Sequence, residues 1–154
     1  MAVTRYSPAD IVVEMLIQGG QLSRQSATGQ TSGSWPGFAA GEPDSPDNVV
    51  TIYDTTGSWN IREFIGSKNI GPSGLMIRVR ANTHRTAWDK AQEIYEYLEQ
   101  VYNRGVSIGT SPDSDYVVIG SFCQFGDILS LGKESPQSKR SIVTLNVQVD
   151  FNQS

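Results

Sequence analysis

The chain has 154 residues, with 12 Lys and Arg against 16 Asp and Glu, one His, one Cys and a net charge of −4. That length suits a single domain, 1–154, built round one core. The acidic balance argues against a protein whose main task is to grip nucleic acid, which needs a basic face. One cysteine excludes an intramolecular disulfide and a cysteine-based four-ligand zinc site. Charged residues are only 18% of the chain, against roughly 25% in an average globular protein. A surface weak in charge repels copies of itself less, so self-association is favoured. The first residues, MAVTRYSPAD, hold no apolar signal core, and runs such as Ile11-Val12-Val13 are far too short to span a bilayer. A soluble protein made inside the cell, with no membrane partner, is expected.

The first element is a short helix. Ser7 can accept from the Asp10 amide, Pro8 sits where its missing N–H costs nothing, and Gly19-Gly20 stop the helix. Ile11, Met15 and Leu16 share one face, so the helix must dock. Residues 19–48 form a long loop or arm with six Gly, five Ser and Pro36, Pro43 and Pro46. Trp35 and Phe38 are the apolar anchors there, fitting a short edge strand interrupted by Pro36.

From Asn48 the pattern becomes β, with Val49, Thr51 and Tyr53 alternating with Val50, Ile52 and Asp54. Trp59, Ile61 and Phe64 fit a second short strand or an irregular excursion, closed by a turn at Gly71-Pro72-Ser73-Gly74. Leu75, Ile77, Val79 and Ala81 then alternate with Met76, Arg78 and Arg80 as a half-buried strand. A long helix follows from Asn82 or Thr83. Ala87, Ala91, Ile94, Leu98 and Val101 make its apolar stripe, Tyr95 and Tyr102 widen it, and Gly105 supplies the stop.

Beyond it, Val106–Thr110 and Tyr116–Cys123 read as strands around a Ser111–Asp115 turn, and Phe125–Leu131 as a less regular return. Residues 132–139, GKESPQSK, form a polar tip. In the last strand Val143, Leu145, Val147, Val149 and Phe151 face one way and Thr144, Asn146, Gln148 and Asp150 the other. That polar face suits either water or a neighbouring subunit. The sum is an α+β fold, an antiparallel β-sheet with a long helix and a shorter N-terminal helix packed on one face.

Chemistry is sparse. His84 lies at a helix start with no GxSxG elbow to serve, and Cys123 sits in a strand as an ordinary buried thiol. The glycines of 29–41 are followed by proline and acid, which would not cradle a phosphate. Asp113 with Asp115, and Asp44 with Asp47, fit ordinary Asx-Pro turns better than a cation site. No catalytic residue, cofactor or metal is expected. Arg78 and Arg80 project from one strand face close in sequence to Arg85, which fits a solvated face or a subunit-interface salt bridge.

Three segments together, PDNVVTIYDTTG (46–57), GLMIRVRANTHRTAWDKAQEIYEYLEQV (74–101) and SIVTLNVQVDF (141–151), resemble the tail terminator, or tail-completion, proteins of long-tailed bacteriophages. The strand ending Arg-x-Arg, the short polar link and the helix carry most of the likeness. The resemblance implies a virion protein at the tail–neck junction, assembled in the host cytoplasm. It forms a six-fold ring that caps the tail tube, stops its polymerisation and meets the neck or connector protein. DNA passes through the lumen without specific binding. The resemblance also implies that loop 20–47 and tip 132–140 contact ring neighbours, tube or neck. Trp35, Arg78, Arg80, Arg85, Lys133, Glu134 and Lys139 are the interface candidates. Glu42, Asp44 and Asp47 are candidates for an acidic lumen lining that repels phosphate. A head–tail connector ring, and a small-ligand domain using Trp35, Trp59 and Trp88, stand as alternatives.

Overall fold

A computed structural model describes residues 6–24, 35–55, 69–108 and 115–153. Helix α1 runs Pro8–Gln18 and α2 runs His84–Glu99. The strands are β1 Gly37–Ala39, β2 Val49–Thr55, β3 Asn69–Ala81, β4 Tyr102–Ser107, β5 Asp115–Lys133 and β6 Ser141–Gln153. They form one six-stranded sheet in the order β1-β2-β3-β6-β5-β4.

The fold is α+β, and the sheet dominates it. Four of the strand pairings are antiparallel, but β1 runs parallel to β2, so the sheet is mixed rather than antiparallel throughout. The reason lies in the connection. The chain leaves α1, passes Ser23 beside Pro36 in a parallel bridge, and reaches Asn48 by a crossover instead of a hairpin.

Sequence signals set α1 directly. The Ser7 hydroxyl accepts from the Asp10 amide and the Asp10 carboxylate accepts from the Ser7 amide, a reciprocal capping box. Asp54 on β2 adds an acceptor for the Ala9 amide at 2.9 Å, where the helix dipole favours a carboxylate. Thr83 caps α2 by accepting from the Thr86 amide. α2 ends at Glu99, before Gly105, which lies inside β4. Asn103 takes a left-handed conformation (φ 47°), one of the few side chains that tolerates it, and turns the chain into that strand. Tyr102 therefore does not widen the helix stripe; it is 78% exposed on β4.

Two further expectations fail for one physical reason: bulges let a strand continue through residues that read as breaks. The Gly71–Gly74 segment is part of β3, where the ladder to β6 slips between Ile70 and Ser73 and so passes Pro72 without needing its missing N–H. Phe125–Leu131 belongs to β5, which continues to Lys133 with irregularities at Val118/Gly120, Cys123/Ile128 and Ser130/Gly132. The segment of Trp59, Ile61 and Phe64 and most of the Ser111–Asp115 turn lie outside the described residues.

The core gathers on the concave face. Val50 and Ile52, Leu75, Ile77 and Val79, Tyr116 and Val118, and the alternating set Val143–Phe151 join the buried faces of both helices in one cluster. α1 packs across β1, β2 and β3 and also against β4 at the opposite edge of the sheet. Gln18 Nε2 donates to the Ser107 carbonyl on β4 at 3.0 Å, and the Tyr6 amide to the Tyr116 hydroxyl on β5 at 3.2 Å. The sheet thus curls until its two ends meet the same helix.

Candidate functional site

The convex face of the sheet is the unusual part. Strand register aligns Val49 with Arg80 and Ile142, and Thr51 with Arg78 and Thr144, all pointing away from the helices. A strand face of this composition is ordinarily wet, yet Val49, Thr51, Arg80, Ile142, Thr144 and Gln148 are buried. Part of the cover is the chain from Ala40 to Asn48, which Arg80 holds down.

Arg80 is 1% exposed. Its Nη2 donates to the carbonyls of Pro43 (2.6 Å) and Pro46 (2.8 Å), and its Nε to that of Asp47 (3.2 Å). Three carbonyls satisfy the planar donor fork, and carboxylates supply the countercharge: Nη1 lies 3.6 Å from Glu42 and 3.7 Å from Glu134. Glu42 also accepts from Arg78 Nε at 3.1 Å. Arg140 completes the network, donating to Asp47 at 2.8 Å and standing 3.8 Å from Glu134. Arg78, Arg80 and Arg140 therefore balance Glu42, Asp47 and Glu134, and the network ties loop 40–47 to the base of the β5–β6 tip.

Five of the ten singled-out residues, Arg78, Arg80, Glu42, Asp47 and Glu134, fall in this one network. Asp44, Lys133 and Lys139 are exposed and form no ion pair among the described residues. Arg85 lies apart on α2, 88% exposed, paired with Asp89 at 3.7 Å. Trp35 leans on the core with the Lys90 ammonium 5.8 Å from its ring centroid, and that ammonium also donates to Glu93 at 3.1 Å, so the buried lysine of α2 keeps a countercharge. Arg140 was missed. It stands next to the last strand without any pattern, and only the register of β6 brings it to Asp47.

Two clefts flank α2. One, about 470 Å³, is lined by His84, Arg85, Trp88 and Asp89 and does not include Trp35. The other, about 370 Å³, lies at the helix C-terminus between Tyr97, Val101, Tyr102 and Arg104. Burial pushes the Tyr97 hydroxyl above its ordinary pKa, and the Arg104 charge opposes that shift. Tyr97 is wedged against Gly19, where a Cβ would collide with its hydroxyl. In α1, a hydrogen bond from Arg24 holds the Glu14 carboxyl below its usual pKa.

The bacteriophage tail terminator protein family matches residues 18–119, more than half of the chain. No curated protein matches the chain. The chain belongs to the bacteriophage tail terminator family, and so is a structural component of a phage tail and of the virion. None of the helices among the described residues is long and apolar enough to cross a membrane.

Proposed function

We propose that this chain is the subunit of a six-membered ring that closes the head-proximal end of the tail tube, stops tube growth and offers its other side to the neck. One observation carries the reading beyond the family. Loop 40–47 and the base of the 134–140 tip, the segments expected to meet other subunits, are bound into one surface by Arg80 and Arg140. A surface tied to the sheet in this way is pre-ordered, which lowers the entropic cost of docking on it.

The tube, a neck or connector protein and further copies of this chain are the partners. DNA crosses the lumen without being held, in keeping with the net charge of −4. Glu42 and Asp47 neutralise arginines of their own chain, so Asp44 is the carboxylate free to repel phosphate. Asp44→Lys should leave the ring intact and slow DNA release; release at the wild-type rate counts against a lumen position.

The reading is tested by polymerising tube subunits with and without this protein and measuring tube length by electron microscopy. Short tubes with a cap at one end are expected. Tubes that grow to the same length with and without it would contradict the proposal.

A further inference from the structure

The large apolar side chains exposed among the described residues are Trp88, Tyr102, Leu129 and Leu131. Leu129 and Leu131 belong to an arm. β4 pairs with β5 only as far as Gly120, and from there to Lys133 β5 has β6 on one side and no strand on the other among the described residues. Residues 129–134 are all exposed. Leu129, opposite Thr144, is 54% exposed, and Leu131, the extra residue of the Ser130/Gly132 bulge, is 53% exposed. Bulges obstruct the addition of a further strand along such an edge, so what this arm offers is side chains: two leucines, with Lys133 and Lys139 beside them.

The complementary features lie at the far end of α2. The Ser130 hydroxyl is 3.3 Å from His84 Nδ1, which puts the arm at the helix N-terminus. Sixteen residues later, about 24 Å along the axis, is the 370 Å³ cleft, where Tyr97, Val101 and Tyr102 share the wall with Gln100, Asn103 and Arg104. Glu96 and Glu99 are exposed on the last turns of the helix beside it. Arg104 lies over the Tyr97 ring, its guanidinium carbon 5.3 Å from the centroid, so its charge is turned onto an aromatic face. One end of the subunit thus offers two leucines with Lys133 and Lys139 near them, the other a cleft between two tyrosines with Glu96 and Glu99 at its edge.

We propose that Leu129 and Leu131 of one copy seat in the Tyr97–Tyr102 cleft of the next, with Lys133 and Lys139 facing Glu96 and Glu99. The occupant is a second copy because both halves of the complementarity are on this chain. The two patches differ and sit about a helix length apart, so the contact is head-to-tail, the kind that closes into rings when the rotation allows. The inference rests on the ring reading and assigns its interface.

Charge exchange tests it on the full chain. Lys133→Glu with Lys139→Glu gives a subunit acidic at both patches; Glu96→Lys with Glu99→Lys gives one basic at both. All four side chains are exposed, and circular dichroism checks that each variant folds. In sedimentation velocity each variant alone should associate at least about tenfold more weakly than wild type, and a 1:1 mixture should recover assembly through alternating copies. Either variant assembling as wild type does, or a mixture that stays dissociated, overturns the interface and leaves the ring. A wild-type chain that never associates overturns both.

Discussion

The two faces of the curled sheet are stabilised in different ways. The concave face is dry and apolar: Ile52, Ile77, Leu145 and Val149 meet Ile11, Leu16, Ile94 and Leu98, and what holds them is area removed from water, about 1.5–3 kcal/mol for a fully buried side chain of this kind. That force has no direction, so shape and volume matter more than identity. Part of the convex face is buried too, but its centre is a guanidinium held by three carbonyls and two carboxylates. Such contacts are directional and fail together, because removing one partner leaves the others desolvated and unpaired. The apolar face secures the fold, and the polar face fixes the position of loop 40–47 against the base of the β5–β6 tip.

The sharpest test of that contrast is Arg80→Ala. Losing the shared cation of a buried network should cost about 3–5 kcal/mol in urea unfolding. Hydrogen exchange should rise through residues 40–48 first, with α2 still protected. A loss below about 1 kcal/mol would place the network with surface ion pairs, which contribute little. On the concave face, Leu145→Ala should cost about 2–5 kcal/mol, whereas Leu145→Met should cost less than about 1.5 kcal/mol. Comparable losses from both would mean that the apolar face is as identity-sensitive as the polar one.

A smaller effect of opposite sign is expected at Thr51, whose hydroxyl is buried without a partner among the described residues. Thr51→Val should raise stability by roughly 1 kcal/mol, read as a higher urea midpoint at unchanged slope. A lowered midpoint would mean that the hydroxyl is satisfied after all.

The smallest effect concerns Glu14, half-buried in the middle of α1 and outside the Arg80 network. Its folded pKa is depressed by Arg24 below the reference 4.5. Its contribution is therefore complete above that value and lost as pH falls through the lower folded pKa. The melting-temperature gap between wild type and Glu14→Gln should be present at neutral pH and shrink on acidification below it. A gap that does not change with pH would remove Glu14 from the acid-labile part of the stability.

The same contrast governs what could be read in advance. Concave-face elements announce themselves locally. Ser7-Pro8 and Gly19 bound α1, the spacing Ala87-Ala91-Ile94-Leu98 marks α2, and strict alternation from Val143 to Phe151 marks β6. Convex-face elements do not. Arg78 and Arg80 alternate as the arginines of a solvated strand would, and the groups that bury Arg80 are mainly backbone carbonyls, which every residue carries. The polar residues Thr144 and Gln148 on β6 are covered within the subunit, a state their alternation leaves open. Bulges hid the length of β5, because Phe125–Leu131 reads as a separate irregular return and Gly132 as the start of the tip, whereas one strand passes through both. Arg140 could be found only from the pairing of β6, a long-range fact.

Native mass spectrometry of the purified full chain tests the central claim most directly. The account predicts a closed assembly of six 16.8 kDa subunits, about 101 kDa, with no ladder of larger open chains. A strict monomer, or an open-ended series of oligomers, would contradict it.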